Sequence, residues 1–246
     1  MRAIHADACL VTGLIVGLAA LTGFAVWRDC KRSGYTLAQY LVFRVLWLYC
    51  KVWQDYRPRG PDPLPRRGAV LLVSNHTAPA DPLLLQCSTR RLISFLMARE
   101  YFGIQLLGWI SQLNGNIPVN RTGRDTAAMK ATLRALEQGR VIGVFPEGGI
   151  NLNAHALREG KAGAAMFALM TRVPVIPVFI DRRVRTNRLV DGLLWPARAR
   201  VFFGRPIDLS RYYDRRHDRG VLEEVTRLLM RSIADLSPRA LRTSEL

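Results

Sequence analysis

Between Ala69 and Phe203 the chain repeats one pattern: a short apolar run, a turn, then a longer stretch with helical periodicity. The runs Ala69–Ser74, Leu92–Met97, Asn116–Val119, Val141–Phe145, Val173–Ile180 and Ala199–Phe203 have the length and the β-branched and aromatic content of strands. Between them Pro82–Arg90, Glu100–Gln112, Asp125–Gln138 and Glu159–Thr171 read as helices, and Gly139 sits where a left-handed cap would close the third. Parallel strands need crossovers of about a dozen residues or more, usually helical. The alternation therefore predicts an α/β fold, with a mixed, mostly parallel sheet flanked by helices. Val221–Leu236 adds a final amphipathic helix.

The segment before this pattern obeys different rules. Ala8 to Trp27, "ACLVTGLIVGLAALTGFAVW", holds no charged residue and matches the ~20 residues that a helix needs to cross the hydrocarbon core. A cleaved leader would have a shorter apolar region, about 7–15 residues, and a small-residue cleavage site, whereas Trp27-Arg28-Asp29-Cys30-Lys31-Arg32 follows here. An uncleaved N-terminal membrane helix is expected. Arg28, Lys31 and Arg32 outweigh Arg2 on the other flank, which places the remainder on the cytoplasmic side of a membrane, in a bacterium the inner membrane. In Tyr35–Trp53 the polar positions Thr36, Gln39, Arg44 and Lys51 share one arc at about 100° per residue, leaving a wide apolar face with Phe43, Trp47 and Tyr49. That face suits a helix lying in the membrane interface, or one packed on the domain. "RPRGPDPLPRRG" is dense in proline and glycine and reads as a linker. The expected organisation is an anchor and interfacial helix over 1–56, a linker over 57–68, the globular domain over 69–237 and a tail over 238–246.

Among 246 residues, a formal charge of +17 gives the surface an attraction for polyanions, whether lipid headgroups, an acidic carrier protein or nucleic acid. Nucleic-acid binding would interleave aromatics with basic residues, and here aromatics concentrate in the N-terminal segment, so no nucleic-acid partner is expected. Cys9, Cys30, Cys50 and Cys87 have no C-x-x-C spacing, and with four histidines no metal site is expected. Cys87 ends an apolar run, the setting of a buried, inert thiol.

Two histidines are poor candidates for a sheltered site: His5 precedes the apolar segment and His217 sits in "RYYDRRHDRG". His155 lies in a loop. His76 follows a strand, in "VSNHTAPADP", where loops at the carboxyl edge of an α/β sheet bind ligands, and its imidazole can take a proton near neutral pH. Asp81, just before Pro82, reads as a helix N-cap, and a carboxylate there can also fix the tautomer of His76. There is no G-x-S-x-G elbow, so a hydroxyl activated by His76 would belong to a substrate. In "VFPEGGI" Glu147 and Gly148 end a strand in a turn open to an anionic group. Arg121, between a strand and a helix in "GNIPVNRTGR", suits phosphate recognition.

In order, His76-x4-Asp81, Gly115 to Arg121, Phe145-Pro146-Glu147-Gly148 and Val173 to Val178 resemble the four blocks of the glycerolipid acyltransferase superfamily, which includes the 1-acylglycerol-3-phosphate acyltransferases. The resemblance covers roughly Ala69 to Pro206. It implies an acyltransferase domain over 69–237 in which His76 is the general base and Asp81 its orienting partner. Arg121 would meet the acceptor's phosphate, Glu147 and Gly148 would help form the acceptor site, and Pro174–Val178 would be a core strand near the acyl path. Lys161-Ala162-Gly163-Ala164-Ala165 resembles the family's basic helix start and adds Lys161 to the substrate-binding set. The implied reaction moves a fatty acyl group from acyl-CoA or acyl carrier protein to a glycerol hydroxyl of lysophosphatidic acid in phospholipid synthesis, on the lipid bilayer and without a protein cofactor. The chain departs from the pattern at Gly149-Ile150, where members acting on lysophosphatidic acid carry Thr-Arg. Another lysophospholipid or an amino-acid lipid is therefore an alternative acceptor, and a non-catalytic basic membrane-binding protein is the alternative outside the enzymes.

Overall fold

Among the described residues, seven strands make one sheet in the order β1-β7-β6-β2-β5-β3-β4. They are β1 (Arg57–Pro58), β2 (Val70–Ser74), β3 (Ile93–Ala98), β4 (Ile117–Val119), β5 (Val141–Val144), β6 (Val175–Asp181) and β7 (Arg200–Phe203). All pairings are parallel except β6 with β7, so the sheet is mixed and mostly parallel, as the alternation predicts. The computed structural model describes residues 21–31, 33–58, 62, 64–120, 125–153, 156–183, 185–196, 198–216 and 218–238.

The strand period of two sorts side chains into two cores. From β2, Leu71 and Val73 enter one core, and Val70 and Leu72 enter the other. The first core is closed by α5 (Thr126–Glu137), α6 (Gly163–Thr171) and α8 (Arg219–Ala234) through Ala135, Leu136, Phe167, Leu169, Val225 and Leu229. The second is closed by α3 (Asp81–Cys87), through Leu84, Leu85 and Cys87, with Cys50 and Tyr56. Fully burying one such leucine stabilises the fold by about 1.5–3 kcal/mol. Gly139 takes φ +78° directly after α5 and its N–H bonds Leu136 O, the cap expected from sequence.

The chain divides into two compact units with the boundary between Arg44 and Val45. In the first, α1 (residues 21–31) exposes Leu21, Phe24 and Trp27. The expected membrane helix Ala8–Trp27 lies outside the described residues over 8–20. Among the described residues no helix is long and apolar enough to cross a membrane. At the start of α2 (Leu37–Val52), Thr36 Oγ1 accepts from Gln39 N and Gln39 Oε1 accepts from Thr36 N, a reciprocal cap. Its last part belongs to the second unit and has two apolar sides. Trp47, Tyr49 and Cys50 pack on the second core, whereas Val45, Leu48 and Val52 face outward. Of the two placements open to that apolar face, Trp47 and Tyr49 take the one packed on the domain.

Three departures from the sequence reading have a visible cause. Glu100–Gln112 is broken: a 3-10 turn, Arg99–Gly103, folds back on α4 (Gln105–Leu113), with Phe102 O so close to Gly108 that a Cβ there would clash with it. The helix expected from Glu159 starts at Gly163, because the N–H of Lys161 is drawn to Pro146 O at 2.7 Å. Within the proline-rich linker, Arg57–Pro58 pairs with β7 at the sheet edge, a place that tolerates proline. A further helix, α7 (Leu189–Leu194), lies between β6 and β7.

Candidate active site

The chain leaves β2 towards β3 and β4 and returns from β5 to β6 on the other side, so the directions of travel diverge beside β2. A crevice at the carboxyl ends of such strands is where open α/β sheets hold ligands. His76 lies there, two residues beyond β2, with its side chain 15% exposed. Its ring stacks on Phe145, just past the end of β5, with centroids 4.1 Å apart.

His76 Nδ1 lies 3.0 Å from Asp81 Oδ2. The same Oδ2 accepts from the N–H groups of Thr77 and Ala78, and the Thr77 hydroxyl donates to the carboxylate at 3.2 Å. Asp81 is therefore not the N-cap its position before Pro82 suggested. Ala80 occupies the cap position, no side-chain bond caps α3, and the carboxylate turns back into the loop. Burial raises the carboxyl pKa of Asp81, but the bonds from His76, Thr77 and Ala78 outweigh it and hold the group below its ordinary range. An ionised Asp81 fixes the proton of His76 on Nδ1 and leaves Nε2 as the nitrogen for a substrate proton.

Behind Asp81 stands Arg182, also fully buried, its Nη1 3.4 Å from Oδ1. Arg182 Nη2 donates to Gly192 O at 3.0 Å and reaches Gln54 Oε1 at 3.4 Å, and Nε is buried without a protein partner among the described residues. Asn75 ties the loop to β6, its amide accepting from Ile180 N and donating to Ile180 O.

Glu147 is buried and holds the loops together rather than standing free. Its Oε1 accepts from His76 N at 3.0 Å, and Oε2 accepts from Asn151 Nδ2 at 2.7 Å and Arg158 N at 2.9 Å. Asn151 N returns a bond to His76 O at 2.7 Å, so the loops after β2 and β5 are laced in both directions. Gly148 takes φ +67°, and Lys161 lies across it: a Cβ there would be 2.7 Å from Lys161 Nζ. The structure thus brings His76, Asp81, Glu147, Gly148 and Lys161 together. Arg121 lies outside the described residues. Its neighbours Asn120 and Asp125 are joined by a 2.8 Å bond beyond β4, at the sheet edge, with β5 and β3 between β4 and β2.

Residues 56–181 match the family model described as Acyltransferase. The chain belongs to the acyltransferase family. It is 27% identical over 182 residues to the 1-acyl-sn-glycerol-3-phosphate acyltransferase of Streptococcus pneumoniae (strain ATCC BAA-255 / R6), covering 73% of this chain and 64% of that protein. It is 30% identical over 121 residues to the protein of the same name from Borreliella burgdorferi, covering 48% of each. The chain thus spans about half to two-thirds of the length of these two relatives. Among solved structures, the 1-acyl-sn-glycerophosphate (LPA) acyltransferase PlsC of Thermotoga maritima shares the fold, with a TM-score of 0.61 at 19% identity over 87% of this chain and 90% of that one.

For this acyltransferase chain, sequence reasoning missed Asn75, Thr77, Asn151 and Arg182. The only signal for Arg182 is its place just after β6, shared with any solvated residue at a strand end. Cys87 is buried, and a hydrogen bond with Cys50 together with burial pushes its thiol pKa up. A thiol held protonated in this way is a poor nucleophile.

Proposed function

We propose that this chain is a membrane-bound O-acyltransferase that moves a fatty acyl group from acyl-CoA or acyl carrier protein to a glycerol hydroxyl of lysophosphatidic acid. The observation that carries the reading is the His76–Asp81 pair, with Nδ1 committed to a buried, ionised carboxylate inside a fold of the acyltransferase family. His76 Nε2 takes the proton of the acceptor hydroxyl as its oxygen attacks the thioester carbonyl. The tetrahedral oxyanion collapses, the C–S bond breaks, and the leaving thiolate takes the proton back from His76. Asp81 keeps the imidazole in the required tautomer and stabilises the imidazolium between the two steps. Lys161 over Gly148 supplies positive charge for the phosphates of the substrates, and the family resemblance gives Arg121 the same task. Glu147 serves the site by fixing the backbone of His76. No protein cofactor is needed.

The bilayer supplies the acceptor, with the N-terminal segment as anchor and the domain on the cytoplasmic side. The name carried by the Streptococcus and Borreliella relatives favours a 1-acylglycerol-3-phosphate acceptor. Gly149-Ile150, in the place where such enzymes carry Thr-Arg, favours a second reading with another lysophospholipid. Incubating the purified chain with a panel of lysolipids and both donor types, with products read by mass spectrometry, decides between them. Phosphatidic acid as the main product supports the first reading. Product from a different lysolipid alone supports the second, and no product from any pair contradicts both.

A further inference from the structure

The second unit carries an apolar surface that the site chemistry does not use. Leu48, Val52 and Trp53 at the end of α2, and Val190, Leu194 and Trp195 on and after α7, are each more than half exposed. The two groups are side by side. Trp53 Nε1 donates to Leu194 O at 2.9 Å, and Tyr49 Oη and Gln54 Nε2 both donate to Leu193 O. Two indoles flanking aliphatic side chains are the composition of a surface that sits at headgroup depth. The charge near the patch in sequence is mostly positive. Lys51, Arg183, Arg188, Arg198 and Arg200 are exposed, against the acids Asp55 and Asp191, of which Asp191 pairs with Arg188 at 3.4 Å.

We propose that α7 and Trp195 form, with the end of α2, a docking surface for an anionic lipid bilayer. Basic side chains near such a surface are attracted to its negative potential, and the apolar side chains between them gain by leaving water. The surface adjoins the site loop directly. Gly192 of α7 approaches the loop so closely that a Cβ there would lie 2.9 Å from Pro79 Cδ, and Gly192 O accepts from the same Arg182 that faces Asp81. Docking therefore presents the His76 loop at the membrane surface, within reach of an acceptor that never leaves the lipid.

The chain holds five tryptophans, Trp27, Trp47, Trp53, Trp109 and Trp195, so 5-fluorotryptophan gives five resonances that single Trp→Phe replacements assign. The full chain is bound to vesicles of phosphatidylcholine and phosphatidylglycerol, with and without lipid carrying a nitroxide high on the acyl chain. The Trp53 and Trp195 resonances should broaden by at least about twofold with the nitroxide lipid, as for side chains buried to the headgroup–acyl boundary. A Trp195 resonance that keeps its width overturns the proposal, and broadening confined to Trp27 would leave the anchor as the contact instead. A Trp195 shift on adding an acidic acyl carrier protein, without vesicle broadening, would assign the surface to the donor and also overturn it. No acyl transfer enters the readout, so this proposal and the transferase reading fail separately.

Discussion

The loop after β2 and the surface of α7 lie in contact, and they are built on opposite terms. Around His76 nearly every polar group is enclosed and paired: Asp81 takes bonds from His76, Thr77 and Ala78, and Glu147 takes three more. On α7 and the end of α2, large apolar side chains are exposed, and the bonds that join the two segments run inward to the backbone carbonyls of Leu193 and Leu194. Enclosed charge-assisted bonds fix atoms to a fraction of an ångström, which proton transfer requires. An exposed apolar surface fixes nothing in position, but it sets where the molecule settles. Arg182 belongs to both regions, since it meets Asp81 on one side and Gly192 O on the other.

Substitutions that separate the two regions test this division. The largest effect is expected for His76→Ala: turnover should fall about 10^2- to 10^4-fold, the range of a lost general base, with vesicle binding and circular dichroism unchanged. A turnover within tenfold of the wild type, measured by product mass spectrometry, would show that the enclosed His76–Asp81 pair does not carry the proton. Asp81→Asn should cost about 10^3-fold through the wrong tautomer. It should also change acid stability. The folded pKa of Asp81 is held below the ordinary value, so its stabilisation is present above the ordinary carboxyl range and lost as pH falls through the lower folded value. Urea midpoints at pH 7 and pH 3 should therefore fall further apart in the wild type than in Asp81→Asn.

Arg182→Met joins both regions and should affect both. It strips the counter-charge from a fully buried carboxylate, a change that costs about 3–5 kcal/mol in stability. The double variant Asp81→Asn, Arg182→Met should regain part of that loss without regaining turnover, and strict additivity in the urea midpoints would show that the pair is not coupled. Leu194→Gln has the smallest expected effect. Vesicle affinity should drop by about tenfold or less, because the site loop is untouched, while turnover on detergent-dispersed substrate stays level. A matching fall in detergent would mean that α7 supports the site rather than the membrane contact.

How much was legible in the sequence follows the same division. His76 and Asp81 could be paired because five positions bring a strand-end residue and a helix start together, and the alternating runs gave the sheet. Glu147 was visible as a site residue, but its bond to His76 N spans 71 positions and exists only once β2 and β5 are neighbours. Arg182 looked like a solvated strand end, because nothing local shows that Asp81, Gln54 and Gly192 will enclose it. The helix cap assigned to Asp81 failed for a related reason: the loop N–H groups of Thr77 and Ala78 compete for the same oxygen. The six residues of α7, with Gly192 in their midst, are too few to show a period.

In the proposed mechanism His76 passes a proton while the acyl group moves straight from thioester to acceptor, with no protein ester or thioester between. A rapid-quench experiment with isotope-labelled acyl donor and the full chain tests it, with intact-protein mass read before and after the acceptor is added. Direct transfer should give an unmodified protein mass with donor alone and labelled phospholipid within one turnover of adding acceptor, in the wild type and in Cys87→Ser alike. A stoichiometric acyl adduct on the protein that is chased onto the acceptor, and that Cys87→Ser abolishes, would contradict it.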